Sequence, residues 1–196
     1  AFVLDRSGSM MSILDDTIGG FNSLLAAQRK QPGEAVVYIA QFDDAYETLA
    51  DMVPLAQVAD LTRETFVPRG STALFDAIAR TILAMGHYIA RARPEDRPQS
   101  VVLTIFTDGK ENASKEFRDP KVIQDMIDAR QKINGWLIMF VGASAGTALG
   151  AVVWILVQLL PDEQVLSWGW RLVFFSSALV MLWITCLSWM GLRMKS

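Results

Sequence analysis

Phe2-Val3-Leu4-Asp5-Arg6-Ser7-Gly8-Ser9-Met10 stands at the head of a 196-residue chain, and its reading decides the fold. Ala1 to Asp5 is a short apolar run closed by a carboxylate, of the kind that forms a buried parallel strand. Asp5, Ser7 and Ser9 then put one carboxylate and two hydroxyls within five residues, and Gly8 permits a tight bend between them. Oxygen-only donors of this size suit a hard cation. Magnesium takes a near-octahedral shell of small oxygen ligands and tends to retain water, so a hydroxyl-rich set with few charges is chemically reasonable.

Working outward, Leu14, Ile18, Phe21 and Leu25 recur at helical steps and predict a helix that ends before Pro32-Gly33. Ala35 to Phe42 reads as a strand, and Asp43-Asp44 reads as a turn before a weaker strand at Tyr46 to Leu49. Leu74, Ile78, Ile82, Met85 and Ile89 share a second helical face, and the charged, proline-flanked stretch 91–98 is a loop. Val101 to Phe106 is an uninterrupted apolar strand. Asp119-Pro120 opens a third helix through about Ile133, and Trp136 to Val141 is a last strand. Strands alternating with helices predict an open, mostly parallel α/β sheet covered on both faces, with ligands beyond the carboxyl ends of its strands.

Two more segments converge on that edge: Gly70-Ser71-Thr72, before a helix, and Thr107-Asp108-Gly109, at the end of a strand. With these in view, residues 1–142 resemble the von Willebrand factor A family, a Rossmann-like fold whose metal-ion-dependent adhesion site reads Asp-x-Ser-x-Ser, then a distant Thr, then a distant Asp. The carrying stretches are Phe2 to Met10, Pro68-Arg69-Gly70-Ser71-Thr72-Ala73-Leu74-Phe75-Asp76-Ala77-Ile78 and Phe106-Thr107-Asp108-Gly109-Lys110-Glu111-Asn112. The resemblance implies that Ser7, Ser9 and Thr72 touch a magnesium or manganese ion directly, that Asp5 and Asp108 act mainly through bound water, and that an acidic residue of a protein partner completes the shell. It implies binding and not catalysis.

Composition changes after Val141. No charged residue lies between Lys132 and Asp162 or between Arg171 and Arg193, and each interval is long enough for a membrane helix of about 20 residues. The candidates run from Ala143 to Leu160 and from Leu172 to Leu192, a hairpin whose loop carries Trp168 and Trp170. Arg193 and Lys195 beyond the second helix predict that both ends of the chain face the cytoplasm. Ala145 to Ala151, Leu159-Leu160-Pro161-Asp162-Glu163 and Trp168-Gly169-Trp170-Arg171-Leu172 make this part similar to the fifth and sixth membrane helices of metabolite–proton symporters of the major facilitator superfamily. That gives a competing reading as a transporter fragment. The chain starts inside an apolar run with no charged leader, and the domain passes into an apolar helix with no polar tether. A junction of two unrelated parts is therefore expected near Gly142 to Ser144.

Other classes fit poorly. A net charge of −3 offers no basic field for a phosphate backbone, so nucleic acid is not an expected partner. The single cysteine, Cys186, forms no internal disulfide. Gly142-Ala143-Ser144-Ala145-Gly146 matches the nucleophile-elbow pattern, yet that pattern needs a histidine after the serine and His87, the only one, precedes it. Gly142, Gly146 and Gly150, four apart, instead suit close packing of membrane helices.

Overall fold

A computed structural model describes residues 1–107 and 111–142. The strands are β1 (Phe2–Asp5), β2 (Val36–Phe42), β3 (Tyr46–Pro54), β4 (Val102–Thr107) and β5 (Leu137–Gly142). The helices are α1 (Leu14–Gln28), α2 (Leu74–Arg91) and α3 (Pro120–Asn134). The strands form one sheet in the order β3-β2-β1-β4-β5, parallel throughout except for β3, which runs antiparallel to β2. The α/β alternation read from the sequence therefore holds, and β1 is the central strand.

Because side chains alternate across a strand, β1 feeds two cores. Val3 packs with Ala40, Phe42, Leu103 and Ile105 under α2 and α3, whose Leu74, Ile78, Ile82, Ile123 and Ile127 close that face. Leu4 packs on the opposite face with Ile39, Phe66, and Phe21 and Leu25 of α1. Phe21, Phe42 and Phe66 are wholly or almost wholly buried, and each contributes about 1.5–3 kcal/mol by leaving water. The ring of Phe21 stands edge-on to those of Phe2 and Phe106 at 5.3 and 6.2 Å, which ties α1 to the strand that ends in the motif.

Helix ends follow their local chemistry. Asp119 caps α3 by accepting the Lys121 N–H at 2.8 Å, Pro120 occupies the first turn, and Gly135 closes the helix in the left-handed conformation. A short 3₁₀ turn, Gly8–Ile13, carries the chain from the motif into α1.

The third strand is longer than its alternation predicts. β3 runs to Pro54, not Leu49, because two register shifts against β2 insert extra residues and break the period of two. Met52, at φ 51°, lies within that irregular stretch.

No helix among the described residues is long and apolar enough to cross a membrane. Both candidate membrane helices, the symporter-like stretches and Ser144 of the Gly-x-Ser-x-Gly pattern lie outside the described residues. His87 is exposed on α2, 3.3 Å from the Arg91 guanidinium, as an ordinary helix-surface residue.

Candidate metal centre

Asp5 ends the central strand, fully buried, in register with Phe42 of β2. One of its carboxylate oxygens accepts the Ser7 N–H at 2.8 Å, a local turn that Asp favours. The other accepts the Thr107 hydroxyl at 2.7 Å and so ties the end of β1 to the end of β4. Ser7 is buried and Ser9 exposed, and their hydroxyl oxygens lie 3.1 Å apart at the boundary with solvent. Adjacent ligands of an octahedral ion at 2.0–2.1 Å stand about 3 Å from each other. The hydroxyl pair is at hydrogen-bonding distance, a separation compatible with two adjacent positions around such an ion.

Gly8 is not in the left-handed region; among the described residues the left-handed glycine at this edge is Gly70, at φ 63°. A side chain at Gly70 would collide with the Asp44 carboxylate, which accepts the Ser71 N–H at 2.9 Å. The Gly8 N–H donates to the Gly70 carbonyl at 3.2 Å, and the Arg69 N–H to the Arg6 carbonyl at 2.7 Å. These bonds lay the 69–72 loop alongside the 6–9 loop. Buried Thr72 follows two residues after Gly70 and two before α2.

Beside this pair of loops, Asp43 anchors a partly buried ionic cluster. It accepts from Arg6 Nε at 3.0 Å, from Arg69 Nε at 2.8 Å and from the Ala45 N–H at 2.6 Å. Arg6 is itself buried and also reaches Glu47 at 2.7 Å. Burial alone would push the Asp43 carboxyl up. The Arg69 and Ala45 hydrogen bonds and the charges of Arg6 and Arg69 more than offset it and hold the group below the usual carboxylate range. Asp43 does form the expected turn, through Ala45, but its larger role is to neutralise the arginine inside the motif.

A second clamp joins the segment after β4 to the start of α2. Glu111 accepts the Phe75 N–H at 2.8 Å, the Ala113 and Ser114 N–H groups at 2.9 and 2.8 Å, and the Ser114 hydroxyl at 2.7 Å. Burial raises this carboxyl too, but those donors hold it below its usual range. In return, Asp76 of α2 accepts the N–H groups of Lys115, Glu116 and Phe117 at 2.8, 3.1 and 2.8 Å. The first turn of a helix has unpaired N–H groups, and here a distant loop satisfies them.

The fold therefore brings Asp5, Ser7 and Ser9 together and threads the Thr72 loop against theirs. Asp108, the remaining expected ligand, lies outside the described residues, immediately after Thr107. Among the described residues no group of three or more His, Cys, Asp or Glu is placed to hold a metal. The donor set present is hard oxygen, which fits magnesium or manganese. The sequence reading missed Arg6, Asp43 and Arg69 as a cluster, and Asp76, Glu111 and Asn112 as a clamp. Glu111-Asn112 close on the Thr107-Asp108-Gly109 motif was the one available signal.

No protein-family model matches the chain, and no curated protein does either. Among solved structures it is similar to the manganese-loaded TRAP protein of Plasmodium vivax, at 16% identity and a TM-score of 0.53, over 82% of this chain and 62% of that one. The chain thus spans under two thirds of that structure's length. At that identity the likeness speaks for the fold, and no support comes from it for the symporter resemblance. What the geometry and the likeness establish together is a mostly parallel α/β sheet with the fold of that structure, and with Asp5, Ser7 and Ser9 gathered at the carboxyl end of its central strand.

Proposed function

We propose that residues 1–142 form a divalent-metal-dependent protein-binding module. The observation that carries this reading is the 3.1 Å separation of the Ser7 and Ser9 hydroxyls next to the buried Asp5 carboxylate. Ser7, Ser9 and Thr72 hold the ion directly, and Asp5 orients the turn and neutralises part of the charge. Asp108 is assigned to the same set from the sequence alone. When bound, Mg2+ or Mn2+ offers an open coordination position to a carboxylate. The partner is accordingly a protein that presents an acidic residue at an exposed surface, and the function is adhesion or scaffolding and not catalysis. The manganese in the Plasmodium structure belongs to that protein and lends support by likeness of fold.

Residues 143–196 are read from their composition as a membrane hairpin that tethers the module, with the module and the C-terminus on the cytoplasmic side. The test of the metal reading is calorimetry of the full-length chain in detergent with Mg2+ and Mn2+. Heat of binding disappears in Asp5→Ala; equal heat in that variant and in the parent would refute the site. Capture of a protein partner is lost with chelator and with Thr72→Ala, and capture indifferent to chelator would remove the adhesion mechanism.

A further inference from the structure

We propose that Asn112 is a positioning residue for the metal ligand Thr72 and sets the preference of the site for small, geometrically strict cations. The inference rests on the metal-binding reading above. Thr72 sits where the chain leaves a left-handed glycine and enters α2, between Ser71, whose N–H donates to Asp44, and Ala73, whose N–H donates to the Asp43 carbonyl. Both of its own backbone groups are held by one distant segment. Its N–H donates to Asn112 Oδ1 at 2.8 Å, and its carbonyl accepts the N–H groups of Asn112 and Ala113 at 3.0 and 3.2 Å. Only the side-chain oxygen of Asn112 can take that first bond, because an amide nitrogen cannot accept from an N–H.

Fixing both backbone groups of residue 72 fixes the direction of its Cα–Cβ bond and hence the reach of its hydroxyl. Asn112 is kept in place by its neighbour Glu111, whose carboxylate grips the first turn of the same helix through the Phe75 N–H. Ser114 adds a bond from the Asp76 N–H at 3.0 Å. The Thr72 loop and the 111–114 segment are therefore bonded to each other at several points. The Thr72 loop is in turn tied to the motif loop through Gly70 and Arg69.

A positioning role differs from a merely structural one in what it does to ion choice. Magnesium demands ligands near 2.0–2.1 Å in an octahedron, whereas calcium accepts 2.3–2.6 Å and irregular shells. A Thr72 hydroxyl released from its anchor should cost magnesium much and calcium little. Loss of a group that orients a metal ligand typically lowers affinity by about 10–100-fold.

The experiment is titration of the full-length chain in detergent with Mg2+ and Ca2+, for the parent, Asn112→Ala, Asn112→Ser and Asn112→Asp, with thermal unfolding of each. Asn112→Ala is expected to weaken Mg2+ by about tenfold or more and Ca2+ by under about threefold, so that the Mg2+-to-Ca2+ ratio falls. Asn112→Ser, too short to reach the Thr72 N–H, reproduces the fall and serves if the alanine variant unfolds. Asn112→Asp, which keeps an acceptor oxygen at the same place, restores the ratio even if its added charge raises both affinities. An unchanged ratio in both shortened variants, with the parent binding Mg2+ and Asp5→Ala not binding, would overturn this inference alone. Failure of the parent itself to bind would overturn the metal reading on which it rests.

Discussion

β1 and β2 are neighbours in the sheet, and a buried aspartate stands at the carboxyl end of each, but the two carboxylates are held differently. Asp43, just beyond β2, is gripped by the guanidinium groups of Arg6 and Arg69 and by one amide. Asp5, the last residue of β1, receives a backbone N–H at one oxygen and a threonine hydroxyl at the other. A buried charge must be compensated, and breaking its partnership is more damaging than never having had it. Asp43 is a structural counter-charge for an arginine inside the motif. Asp5 has a backbone amide and a threonine hydroxyl among its partners and closes the strand that leads into the Ser7–Ser9 hydroxyl pair, the arrangement that the proposed cation exploits.

The contrast is open to direct attack. Its largest expected consequence is at Asp43: Asp43→Ala leaves the buried Arg6 with only the exposed Glu47 of its two carboxylate partners and should destabilise the fold by about 3–5 kcal/mol. Urea unfolding measures it, and a loss below about 1 kcal/mol would show that the cluster behaves as a surface pair. At Asp5 the effect should fall on binding. Asp5→Asn keeps most of the turn but should weaken Mn2+ by at least about tenfold, equivalent to about 1.4 kcal/mol, as read by the electron paramagnetic signal of free Mn2+. If Asp5→Asn strongly destabilises the fold while the fraction that remains folded binds Mn2+ as the parent does, the two aspartates have been assigned the wrong way round.

Smaller effects sharpen the same contrast. Thr107→Val removes the hydroxyl that holds Asp5 across to β4 and should cost about 1–2 kcal/mol by thermal unfolding. Arg69 is mostly exposed, so Arg69→Gln should cost below about 1 kcal/mol, the range of solvent-screened pairs. Acid adds a check on sign. Asp43 and Glu111 have carboxyls held below their ordinary values in the folded chain, so the stability they lend is complete above about pH 4.3 and is lost as pH falls through their folded values. Asp43→Asn should flatten that acid limb of a stability–pH curve, and an unaltered limb would mean that Asp43 carries no linkage.

Much of the architecture was legible in advance, for reasons that lie in local physics. Periodic apolar residues such as Leu74, Ile78 and Ile82 declare a helix face wherever they occur, and Asp119-Pro120 supplies both a cap and a first-turn residue. β3 was undercounted because its bulges spoil the alternation from which a strand is read. The motif residues Asp5, Ser7 and Ser9 were legible because they sit within one turn of chain, where a short-range hydrogen bond fixes their arrangement. Asp43, which accepts from two distant arginine side chains, and Asp76, Glu111 and Asn112, which accept distant backbone N–H groups, were not, since such partnerships leave no periodic trace.

The sequence by itself determined the alternation of strands and helices, the oxygen-rich pentapeptide at the end of the first strand, and the apolar composition of residues 143–196, because each depends on neighbours in the chain. Only the tertiary structure decided that β1 is the central strand, that Thr107 reaches Asp5, and that the Thr72 loop lies against the motif under the grip of Asn112. Those contacts join residues 40 to about 100 positions apart, and they form because the sheet sets the ends of β1 and β4 side by side and leaves the polar groups there to satisfy one another.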